Sequence, residues 1–143
     1  MVGILIISHG RLAEALISTV QSLVGDLKGV RGVSIWPNET KENIKDRIRK
    51  SMEEVDDGNG VVILTDILGG TPTNLTLSYL QEETVEVVTG VNMPMLLTIS
   101  SYRDGRSLRE VGKLAKESGR RSIILAKEAA MQPRGNNSSL YKI

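Results

Sequence analysis

Apolar positions in this chain come in short blocks separated by amphipathic stretches. Residues 2–8 read VGILIIS, an almost unbroken apolar run with branched side chains, which is the pattern of a strand covered on both faces. After His9 and Gly10, residues 11–24 place Leu12, Ala15, Leu16, Thr19, Val20 and Leu23 at helical spacing, and Gly25 follows as a stop signal. Residues 32–36 predict a second strand closed by Pro37. Thr40 then caps a helix whose Ile44, Ile48, Met52 and Val55 share one stripe, ended by residues 56–60. Residues 61–65 predict a third strand, followed by the turn Asp66-Ile67-Leu68-Gly69-Gly70. Thr71 as cap and Pro72 at the first helical position open a helical segment that runs to Leu80. Residues 85–89 predict a fourth strand, residues 93–102 and 107–118 two helices parted by Arg103-Asp104-Gly105, and residues 122–125 a short final strand. Residues 126–143, which contain PRGNNSS, carry too little apolar periodicity for an element and read as a loose tail.

Strand alternating with helix predicts an α/β class, a doubly wound and mostly parallel sheet with helices on both faces, because parallel neighbours need right-handed crossover connections. Short sheets of this kind commonly take the order 2-1-3-4, which sets strands one and three side by side with the switch point between them. Composition narrows the partners. A chain of 143 residues, 40% hydrophobic, suffices for one core. Its 18 basic and 17 acidic residues leave no electrostatic argument for nucleic acid or a membrane surface, so a protein or small molecule is the expected partner. With no cysteine, disulfides, thiolate catalysis and sulfur-based zinc sites are excluded. The apolar start lacks the basic flank and cleavage site of a signal peptide, and no run is long enough to span a bilayer, so the cytoplasm is the expected location.

Ligands of open α/β sheets bind outside the carboxyl ends of strands at the switch point. His9, the only histidine, stands there after the first strand, and Asp66 stands at the corresponding end of the third. A neutral imidazole nitrogen can attack phosphorus while a carboxylate fixes the proton on the other nitrogen. Gly69, Gly70 and Thr71 follow, with small residues that admit a close backbone approach and a helix start whose free amides suit a phosphoryl group. Taken singly, each has an ordinary reading: a packed histidine, a turn-capping aspartate, a loop feeding a helix. A plain anion-binding module is therefore an alternative. No GxxxxGK[ST] loop or strand-following GxGxxG supports nucleotide binding, no GxSxG elbow supports a serine hydrolase, and one histidine without cysteine makes a metal site improbable. No cofactor is expected.

Three segments carry a resemblance: ILIISHG from Ile4 to Gly10, TDILGGTPTN from Thr65 to Asn74, and VTGVNMPMLL from Val88 to Leu97. In these the chain resembles the IIA components of the mannose-fructose-sorbose branch of the bacterial sugar phosphotransferase system, over residues 1–126, leaving residues 127–143 as a tail. The resemblance implies that His9 is phosphorylated on Nε2, that Asp66 orients Nδ1 and that Thr71 assists phosphoryl binding. It implies the phosphocarrier protein HPr as donor and a IIB component as acceptor. It further implies a homodimer in which residues 122–125 lie antiparallel at the edge of the partner's sheet. Leu68 and Thr73 depart from the family, which often has an aromatic residue there, and this affects the partner-facing rim rather than the chemistry. Since these residues include no IIB domain, a separate acceptor is expected. A phosphorylation-dependent regulator and the related phosphocarrier of a dihydroxyacetone kinase are the alternatives within the resemblance.

Overall fold

Four parallel strands, β1 (Gly3–His9), β2 (Val30–Ile35), β3 (Val61–Thr65) and β4 (Val85–Thr89), form a single sheet in the order β2-β1-β3-β4. The computed structural model describes residues 1–67 and 70–130. The helices are α1 (Leu12–Val24), α2 (Lys41–Val55), α3 (Thr71–Thr76), α4 (Met93–Tyr102), α5 (Leu108–Arg121) and α6 (Ala126–Ala130), with a 3-10 turn at Leu77–Gln81. The expected α/β class and strand order are both observed.

The unbroken apolar strands have a direct structural cause. Ile4 and Ile6 of β1 with Val62 and Leu64 of β3 pack against α1, α4 and α5, through Ala13, Val20, Leu96, Ile99 and Val111. The intervening Leu5 and Ile7, with Val61 and Ile63, pack against α2 through Ile44, Ile48 and Val55, joined by Leu75 and Tyr79. Successive strand residues point to opposite faces, so a sheet with helices on both sides needs apolar residues at every position. Helix starts follow local chemistry: the Thr40 Oγ1 accepts from the Asn43 N–H at 3.2 Å, Asn92 Oδ1 from Met95 N–H at 2.9 Å, and Ser107 Oγ from Glu110 N–H at 3.2 Å.

Three expectations change. The helix opened by Thr71 gives way to the 3-10 turn after Thr76 rather than continuing to Leu80. Residues 122–125 are not a strand in the single chain: they leave α5 without a ladder, and Ile123, Ile124 and Leu125 are 81%, 46% and 66% exposed. Extended backbone is held by a hydrogen-bonded neighbouring strand, and this segment has none among the described residues. The tail begins with a short helix, α6, whose Ala129 is buried; its remaining residues, 131–143, lie outside the described residues.

The register sets up the functional end of the sheet. His9 lies opposite Ile35 of β2, and Ile7 lies opposite Thr65 of β3. The residue after Thr65 therefore emerges beside the last residues of β1.

Candidate active site

At that end of the sheet, His9 is the last residue of β1, and the chain then turns through Gly10, whose φ of +55° suits a residue without a side chain. The Gly10 N–H donates to the Ile35 carbonyl at 3.0 Å, which ties the turn to β2. Buried Ser8 secures the next step: its Oγ accepts from the Ala13 N–H at 2.8 Å and holds the first turn of α1. The imidazole is thereby presented on a short, twice-anchored turn, with its side chain 47% exposed.

Asp66 meets it across the strands. Its Oδ2 accepts from both the His9 backbone N–H, at 2.9 Å, and the His9 ring at Nδ1, at 2.8 Å, while Oδ1 accepts from the Ile67 N–H at 2.9 Å. Burial alone would raise the Asp66 carboxyl, but these bonds from His9 and Ile67 outweigh it and hold the group below the ordinary aspartate range. An ionised carboxylate only accepts, so Nδ1 carries the ring proton and the lone pair of the neutral imidazole is on Nε2.

Gly70 lies against the ring. A Cβ built on it would stand 2.9 Å from His9 Cε1 and 2.9 Å from Ile67 Cγ1. Any side chain at position 70 must displace the imidazole, the Ile67 side chain or the loop. Gly70→Ala is expected to keep the fold and to slow any reaction at the ring by about tenfold, since a shift of about 1 Å can cost 10²-fold; steady-state transfer rates check this. Thr71 begins α3 and is exposed, and the Gly70 carbonyl accepts the Asn74 N–H at 2.9 Å, closing the first turn of that helix. Of the residues singled out in the sequence, His9, Asp66, Gly70 and Thr71 gather at one rim, while Gly69 lies outside the described residues. Ser8 and Ile67 were not foreseen as parts of the site: Ser8 lies inside β1, three residues before the N-cap Arg11, where no capping pattern marks it, and Ile67 is an apolar residue in a polar turn.

A nucleophilic ring nitrogen with its partner nitrogen pinned by a carboxylate, at a sheet's carboxyl end, is equipped for group transfer through a covalent adduct. The family described as "PTS system fructose IIA component" (EIIA-man) matches residues 3–116. The mannose-specific EIIAB component of Escherichia coli (strain K12) is 33% identical over 124 residues, 85% of this chain and 38% of that protein, so the chain spans well under half the length of that relative. The fructose-specific EIIA component of Bacillus subtilis (strain 168) is 25% identical over 129 residues, 90% of this chain and 88% of the relative. A PTS IIA protein associated with the fucose utilization operon of Streptococcus pneumoniae has a crystal structure that superposes with a TM-score of 0.78 at 30% identity, over 88% of this chain and 93% of that one. A match over most of the chain, joined to these relatives, places the protein: it belongs to the mannose-fructose-sorbose family of IIA components of the sugar phosphotransferase system.

Proposed function

We propose that the chain is a phosphoryl carrier, taking phosphate from phosphorylated HPr onto Nε2 of His9 and passing it to a IIB component. The observation that carries this is the 2.8 Å bond between His9 Nδ1 and Asp66 Oδ2 beneath a half-exposed ring. The Nε2 lone pair attacks phosphorus; a P–N bond forms as the donor's bond to phosphorus breaks and its electron pair leaves with the donor. The ring then holds a positive charge on its nitrogens, which the Asp66 carboxylate offsets. The Gly69, Gly70 and Thr71 amides, with the Thr71 hydroxyl, bind the transferring oxygens, a role suited to a transfer that depends on positioning and electrostatics. Transfer to IIB reverses the same steps. Neither step needs a metal or cofactor from this chain, and both belong in the cytoplasm. The test is intact-mass measurement after incubation with phospho-HPr. One phosphoryl group per chain, lost in acid and kept in base, is the expected result; no addition would overturn the reading.

The reading extends to a homodimer. β4 is the last strand of the sheet, and among the described residues no strand pairs with its outer edge. Residues 122–125 follow α5 with three large aliphatic side chains exposed, and Ile123 borders a recess of about 220 Å³ whose other walls include Val88, Thr89 and Met95. Antiparallel pairing of this segment with β4 of a second copy gives the segment its ladder and covers the edge. Sedimentation should show a dimer for the native chain and a monomer for Ile123→Asp. A native monomer at micromolar concentration would exclude the exchange.

A further inference from the structure

Trp36 is the only tryptophan in the chain, follows directly on β2 and is 43% exposed. Its neighbour Ile35 pairs with His9, and its ring reaches over the turn after His9: a Cβ built on Gly10 would stand 3.8 Å from Trp36 Cζ3. Near the imidazole, at the end of β3, is Ile67, 57% exposed, which with His9 Cε1 brackets the Cβ position of Gly70. One large apolar side chain thus stands over the turn that follows the reactive ring and another lies close to the ring, and both are exposed.

The loop that carries Trp36 is pinned. The Trp36 backbone N–H donates to Glu39 Oε1 at 3.0 Å. Glu39 Oε2 accepts from Arg47 Nη1 at 2.7 Å and from Asn43 Nδ2 at 3.1 Å, and Arg47 Nη1 also donates to the Ser34 carbonyl at 2.9 Å. Burial works against the ionised Glu39 side chain, which is 15% exposed, yet these bonds prevail and hold its carboxyl below the usual range. This network ties the backbone beneath the exposed indole to the start of α2. It fits a binding anchor, because an aromatic side chain held in place before the encounter loses little freedom when a partner covers it.

The charges at the rim favour one kind of partner. The carboxylates of Asp66 and Glu39 are both engaged by donors of their own chain. Arg11, exposed and two residues beyond His9, forms no ion pair among the described residues. A partner arriving with a dianionic phosphoryl group meets an available cation and no free carboxylate among these flanking groups.

We propose that Trp36 is the apolar anchor on which the phosphorylated donor protein seats, the indole filling an apolar recess beside the donor's phosphorylated residue and Ile67 adding a second apolar contact close to the ring. The inference rests on the carrier reading above. It names a contact that the chemistry at His9 does not require, so the two can fail separately.

Two phosphate sources separate them. Phosphoramidate can phosphorylate an accessible imidazole: its P–N bond breaks, ammonia leaves, and a P–N bond to Nε2 forms without any protein docking. Trp36→Ala should be labelled by phosphoramidate at the native rate and by phospho-HPr at least tenfold more slowly, with the loss in KM rather than kcat. Trp36→Phe should recover to within threefold of native. In His9→Ala, where no transfer occurs, titration with phospho-HPr should shift the Trp36 emission to the blue, read as the difference from His9→Ala/Trp36→Phe. If phospho-HPr labels Trp36→Ala as fast as the native chain, or the emission does not move, the anchor is wrong and the carrier reading stands. No label on native His9 from either source overturns both.

Discussion

His9→Ala will take up no phosphoryl group, whereas Asp66→Asn will still be labelled, but on the order of 10² to 10⁴ times more slowly. The first result follows because the chain has one histidine and no cysteine, so no other side chain offers an equivalent nitrogen or sulfur nucleophile. It will not come from misfolding. The ring is half exposed, and without it Asp66 keeps the His9 and Ile67 backbone N–H groups as donors, so stability should stay within about 1 kcal/mol of native.

The second result follows from a count of donors. Three N–H groups converge on the Asp66 carboxylate: two on Oδ2 and one on Oδ1. An amide has one acceptor oxygen and one NH2 group, so asparagine cannot serve all three. With its oxygen toward His9, the NH2 confronts the Ile67 N–H. Turned the other way, the NH2 confronts the His9 backbone N–H and demands a lone pair on Nδ1, which moves the ring proton to Nε2 and removes the nucleophile. Either way the ring loses its orientation or its reactive tautomer. Rapid-quench labelling measures the rate, and nitrogen chemical shifts of the ring report the tautomer. Labelling of Asp66→Asn within threefold of native would show that Asp66 has no part in the transfer.

Arg103→Met is expected to destabilise the fold by about 3 kcal/mol, roughly a 10 °C fall in Tm, while leaving His9 labelling at 25 °C unchanged. Arg103 follows α4 and is 2% exposed. Its guanidinium donates to the carbonyls of Val2, at 2.8 Å, Lys28, and Gly29, at 3.4 Å. It therefore clasps the end of α4 to the chain entering β1 and β2, at the opposite end of the sheet from His9. Burial penalises the cation and lowers its pKa, an effect that nearby Asp57 and Asp104 oppose. Removing a buried charge can be neutral when both partners are replaced together, but here the three carbonyls remain and lose a donor. The Gly29 carbonyl keeps the Ile4 N–H at 2.9 Å, so the cost falls on the carbonyls of Val2 and Lys28; a buried polar group that loses its donor costs about 1–3 kcal/mol, and this decides the sign. Thermal melts and labelling of the same preparation test the pair of outcomes; an unchanged Tm would mean that water satisfies the carbonyls equally well.

The contrast between His9 and Arg103 also marks what could be read from the chain. His9 was legible because its chemistry is local: a lone imidazole after an apolar strand is conspicuous wherever that strand goes. Arg103 was legible only as part of a turn, Arg103-Asp104-Gly105, since its partners Val2, Lys28 and Gly29 are 101, 75 and 74 residues away. The final segment, which forms no strand within the single chain, differs for a related reason. Ile123, Ile124 and Leu125 have the branched, apolar character of a strand, but that character describes a surface that fits a sheet and does not supply the neighbouring strand. Trp36 carried no local signal of its position beside His9.

Apolar runs, helical stripes and caps such as Thr40 act over a few residues, so the four sheet strands, their alternation with helices and hence the α/β class were readable from the chain alone, although the end of the helix after Thr71 was not. The His9–Asp66 pair spans 57 residues and exists only because β1 and β3 lie side by side in register. Crossover connections constrain the neighbours of a strand without choosing them; the choice is made when both faces of the sheet must be buried at once, and that is a property of the whole packed chain.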